Sequence, residues 1–138
     1  MSQLLDDKDF REKVAKDVKI EKSNLELELL THSDMMQKYI TLLTRYSRQL
    51  AQAQNKLDEK YKEKYEHYRF EYDKVLDNAR EVGVYIKGDA DYIKEKEKVD
   101  DLTSNVNFLQ RTIDNLNQKS WSMKNLIELN RFLKGERD

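Results

Sequence analysis

From Met36 onward, apolar side chains return every three or four residues: Tyr39, Leu43, Tyr46, Leu50, Ala53, Leu57. Alternating steps of three and four make a coiled-coil seam, because that spacing keeps one stripe facing a partner helix. The series continues through Tyr61, Tyr65, Tyr68, Tyr72, Val75 and Ala79. The steps from 57 to 61 and from 61 to 65 are both four and break the alternation, which marks a stutter where a supercoil unwinds locally. A second stripe keeps the repeat throughout: Val99, Leu102, Val106, Leu109, Ile113, Leu116, Ser120, Met123 and Ile127. Leu4, Phe10, Val14 and Val18 form a weaker pattern and predict a short amphipathic helix near the start.

Local signals place the ends. "SNLE", Ser23 to Glu26, reads as a capping box opening the long first helix. Gly83 and Gly88 bracket "GVYIKGD", which reads as a turn. Asp89 then caps the next helix, and Asp91 sits near its positive end. Gly135 follows Lys134 as a C-terminal cap. The prediction is one all-α domain over 1–138, a long helical hairpin with coiled-coil-like seams. Its parts are an N-terminal helix over 1–22, a long helix over 23–82, a turn over 83–89 and a C-terminal helix over 90–134. If unbroken, residues 24–80 would span about 85 Å.

Composition changes that picture in one respect. Of the 138 residues 38% are hydrophobic and 38% charged, with mean hydropathy −0.98. Such a chain cannot build a thick core alone, so it is expected to complete its burial against copies of itself or a partner. There is no proline and there are only three glycines, as long helices require. Without cysteine, disulfides, thiolate catalysis and cysteine metal sites are excluded. "MSQLLDDKDF" has no hydrophobic segment of a secretory signal, and no apolar run reaches membrane-spanning length. A soluble, cytoplasmic protein without membrane contact is expected.

The 26 basic and 27 acidic residues are unevenly spread. Residues 35–57 hold Lys38, Arg45, Arg48 and Lys56 and no acid, a net +4. In a hairpin folded near residue 85 this stretch lies beside 113–134, net +2, while 58–112 and 1–34 are each −3. In a symmetric oligomer that asymmetry becomes a band of positive charge suited to an anionic partner. Lysines Lys56, Lys60 and Lys64 follow on successive turns. "YKEKYEHYRFEY", 61–72, interleaves such cations with aromatics. Tyr65 and Tyr68 are either seam residues, the plainer reading, or rings on which the bases of a single strand stack.

Trp121, Met123, Leu126, Ile127, Phe132 and Leu133 put two adjacent apolar stripes on the last helix, more than one partner helix needs. They read as a self-association surface. Catalysis is not expected. His32 and His67 each follow a Glu by four residues, not the three of a di-iron Glu-x-x-His motif, and no phosphate-cradling glycine loop is present. No cofactor or metal is implied.

Several stretches together resemble the UvsY family, the recombination mediators of T4-like phages. They are "KDVKI" near the start, "YKEKYEHY", "DADYIK" at 89–94, "TIDNLNQKS" and the ending "NRFLKG". The resemblance implies a ring-like homo-oligomer of helical subunits, a hexamer or heptamer, that binds single-stranded DNA. Such a protein loosens the phage single-strand-binding protein and helps load the phage recombinase, UvsX-like in kind, in recombination, repair and replication. It would act in the cytoplasm of the infected bacterial host. The family's DNA-binding basic pair falls on Lys62 and Lys64, the second being Lys where Arg is expected, which keeps the charge but loses the planar fork. The rival expectation is a structural coiled-coil scaffold or adaptor that binds no nucleic acid, which balanced charge and regular heptads also fit.

Overall fold

The computed structural model describes residues 7–21, 24–72, 74–76 and 78–135. Its elements in chain order are α1 (Lys8–Val18), α2 (Leu25–Glu66), a π-helical turn (His67–Glu71), α3 (Ala79–Lys87) and α4 (Ala90–Leu133). No strand occurs among the described residues. Side chains open all four α-helices. Asp7 accepts the Phe10 N–H at 3.1 Å, Asn24 the Leu27 N–H at 3.2 Å, and Asn78 the Glu81 N–H at 2.9 Å. Each oxygen satisfies one backbone donor that the first helical turn leaves unpaired. Ser23 of the expected capping box, like Leu4, lies outside the described residues. Asp89 caps α4 as the sequence predicts, accepting the N–H groups of Asp91 and Tyr92 at 3.0 and 3.1 Å. Gly135 closes it with φ of 77°, the left-handed conformation that glycine adopts without steric cost.

The turn expected over 83–89 is mostly helix. α3 runs through Gly83 to Lys87, and a Cβ at position 83 would meet nothing closer than the Tyr61 hydroxyl at 3.7 Å. The break comes earlier, after Glu71, where Tyr72 turns extended at φ −77°, ψ 148°. Neither glycine nor proline causes it. Asn78 then restarts the helix by accepting the Glu81 N–H. The seam therefore ends at Tyr72. Val75, expected on it, is 84% exposed and Ala79 is exposed, while Leu76, Val82 and Ile86 are buried in their place.

The described residues form two compact units, to both of which α2 and α4 contribute: 1–45 with 105–138, and 46–104. In the first, α1 packs on α2 and α4 through Val14 and through Phe10, whose ring lies 6.1 Å from that of Phe108. Tyr39, Leu109, Ile113, Leu116 and Met123 complete that core, all predicted seam residues. In the second, Tyr46, Ala53, Val99 and Leu102 carry the seam. Leu76, Val82 and Ile86 then make a separate cluster under Tyr65, Tyr68, Tyr72, Tyr85 and Tyr92.

Candidate nucleic-acid interface

The cations along α2 have different surroundings. In the first unit Lys38 and Arg45 are exposed, and Lys38 lines a groove of about 450 Å³ with Phe10, Lys13 and Leu42. In the second, Arg48, Lys56 and Lys62 are exposed. Lys60 pairs with Glu63 at 3.2 Å. Lys64 is held inward, its ammonium 2.9 Å from Asp91 and 3.4 Å from Asp89, with 15% of the side chain exposed. Asp91, then Asp89, holds that ammonium above its usual range. The Lys62–Lys64 pair thus divides into one cation facing solvent and one bound to carboxylates of the same chain. Spacing alone could not show this, since the partners lie 27 and 25 residues away.

Tyr65 and Tyr68 pack inward. Tyr68 donates its hydroxyl to Asp89 at 2.7 Å, and its ring meets Tyr72 and Tyr85 at centroid distances of 5.1 and 5.8 Å. Tilted and edge-on pairs of this kind add about 0.5–1.5 kcal/mol each beyond area burial. The π-helical turn carries the opposite case: the Phe70 ring is 76% exposed. Arg69 beside it donates to the Leu76 carbonyl, which ties the non-helical segment back to the turn.

The first unit hides one of the basic residues counted in 113–134. The Lys119 side chain is 2% exposed, pairs with Glu28, and donates to the Asp17 carbonyl at 2.7 Å near the C-terminal end of α1. Glu28 also accepts the Glu21 N–H at 2.9 Å, and Asp17 accepts the Tyr39 hydroxyl at 2.7 Å. Burial, then the bond to Asp17, pushes the Tyr39 phenol well above its ordinary range. Lys119 is committed to holding α1 and is closed to any external anion. The sequence hint was faint: Asn105, Thr112 and Lys119, all buried, stand seven residues apart beside the α4 seam.

His32 lies in the same interior, 7% exposed, and among the described residues neither ring nitrogen has a partner in full hydrogen-bond geometry. Burial first, then the charge of Lys119, lowers its pKa, Lys124 adding to this while the Leu116 backbone and Glu28 oppose it. A histidine whose folded pKa is depressed binds protons more readily unfolded. Its effect on stability is therefore absent well above the unfolded value near 6.5 and grows unfavourable as pH falls below it. His32→Leu is expected to unfold at higher urea than the parent, by a margin that widens from about pH 7.5 to about pH 5.5. Parallel pH profiles for the two proteins would remove His32 as the cause.

On the last helix, Met123 is fully buried within the chain, so it is closed to a second copy. Leu126 and Ile127 are half-buried. Trp121, Phe132 and Leu133 are 69, 78 and 71% exposed, and Lys124 lies 5.8 Å from the Trp121 ring centroid. Leu129 on α4, with Leu27 and Leu30 on α2, adds exposed apolar surface that the sequence pattern did not single out. Among the described residues no helix is long and apolar enough to cross a membrane.

Comparison with known proteins places this architecture. The family described as "Recombination, repair and ssDNA binding protein UvsY" matches residues 13–136. The fold is similar to that of the bacteriophage T4 recombination mediator protein UvsY in three crystal lattices. In lattice type IV the TM-score is 0.80 at 17% identity, covering 90% of this chain and 95% of that one. Lattice type II gives 0.79 at 16%, covering 91% and 96%, and type I gives 0.77 at 16%, covering 91% and 98%. No curated protein sequence matches. With the family's pattern running from α1 past the end of α4, the chain belongs to the UvsY family of recombination, repair and single-stranded-DNA-binding proteins.

Proposed function

We propose that this member of a single-strand-binding mediator family loosens the single-strand-binding protein on DNA and helps its recombinase assemble there. The family match over residues 13–136 carries the reading. Exposed Lys38, Arg45, Arg48, Lys56 and Lys62 on α2 support it. A mediator must grip any sequence and release it, so its bonds should go to phosphates, each neutralised phosphate contributing about 0.7 to the salt slope on a single strand. One subunit supplies few such bonds. A ring of subunits multiplies them, and avidity raises affinity without new chemistry. The exposed Trp121, Phe132 and Leu133, with half-buried Leu126 and Ile127, are the surface we assign to that self-association. The protein would work on DNA in the infected host cell.

The test is a salt titration of binding to a fluorescent single-stranded oligonucleotide, with sedimentation of the same samples. Lys62→Ala should weaken binding and lower the salt slope by about 0.7 for each phosphate it no longer neutralises, with the sedimenting mass unchanged. A parent protein that binds no oligonucleotide at low salt would return the chain to the scaffold reading. One that sediments as a single subunit would end the ring.

A further inference from the structure

Two carboxylates compete for Lys64, and their own commitments differ. One Asp89 oxygen accepts two backbone N–H groups at the start of α4, and the other accepts the Tyr68 hydroxyl at 2.7 Å. Its carboxylate is 10% exposed, and these bonds hold its pKa down although burial alone pushes the other way. Asp89 therefore stays in place whatever Lys64 does. The Asp91 side chain is 67% exposed and, among the described residues, bonds to Lys64 alone, at 2.9 Å. Asp91 is the partner that can leave. A phosphate offers an ammonium the same kind of anionic oxygen, at comparable distance, from the solvent side.

We infer that Asp91 regulates the strand-binding site: its carboxylate occupies Lys64 as an internal stand-in for phosphate, and a nucleotide backbone gains that lysine by displacing Asp91 while Asp89 keeps it oriented. This rests on the reading of the protein as a single-strand binder. The exchange makes phosphate binding by Lys64 conditional, in contrast to exposed Lys62. It suits a protein that must release its strand, because Asp91 recaptures Lys64 whenever the phosphate departs.

The test is a double-mutant cycle on oligonucleotide affinity, combining Asp91→Asn with Lys64→Ala. Asp91→Asn should tighten binding about two- to fivefold at low salt, the range set by partly exposed ion pairs. The gain should vanish when Lys64 is alanine. Glu97→Gln, the same charge change at an exposed site on the same helix, controls for net charge and should give the same small effect in both backgrounds. A gain from Asp91→Asn that is equal with and without Lys64, or a loss of affinity, would overturn the inference. The parent reading fails separately, on a wild-type protein that does not bind the strand at all. The exposure of Asp91 makes the variant's folding safe, and Asp91→Ala, which removes the same carboxylate, serves as the second variant with the same expected direction.

Discussion

Lys119→Ala should lower the unfolding free energy by about 3–5 kcal/mol, the range for removing one partner of a buried ion pair. The magnitude follows from what is left behind. Glu28, 15% exposed, would be without its countercharge, and the Asp17 carbonyl near the end of α1 without its donor. α1 buries few apolar side chains, Val14 chief among them, so this polar anchor carries much of its attachment. The expected result is a lower denaturant midpoint together with faster protease cleavage within Lys8–Val18. A change under about 1 kcal/mol with α1 still protected would mean that Val14 and the Phe10–Phe108 pair hold the helix by themselves.

Ile86→Ala should cost about 2–4 kcal/mol in the other unit. Among the described residues Ile86 is fully buried in a cluster with two other buried aliphatic side chains, Leu76 and Val82, roofed by tyrosines. So small a core has little surrounding mass to collapse into the cavity. The effect should appear as early hydrogen exchange in Ala79–Lys87 and as a weaker near-ultraviolet circular dichroism signal from Tyr68, Tyr72 and Tyr85. Lys64 and Asp89 are anchored to the same cluster through Tyr68, so strand binding should weaken as well. Protected α3 amides in this variant would show that the tyrosine rings suffice to hold the helix.

Much of this architecture could be read from the chain. Tyr39, Tyr46, Ala53, Val99, Leu102, Leu109, Ile113, Leu116 and Met123 fall on the seam by spacing alone and are buried. Heptad spacing reports burial directly, because a helix exposes or hides each residue by its angle around the axis. Asp89 and Gly135 were legible for a related reason: a cap acts within one turn, so its partners are near in sequence. The helix end at Glu71 was less legible, having neither proline nor glycine beside it, and the Gly83 that seemed to mark the turn lies inside α3.

The amino-acid order thus settled that the chain is built of long helices, which stripe of them is hidden over most of their length and how α4 is capped, since all of these are short-range consequences of side-chain chemistry. The folded chain alone settled which charges remain available. Lys62 and Lys64 are two residues apart and chemically identical, yet one faces solvent and the other lies between Asp89 and Asp91. Lys119 counts as a surface cation by composition and is buried against Glu28. The availability of a charge depends on its distance to opposite charges and on its removal from water, and both are set by residues brought together from far along the chain.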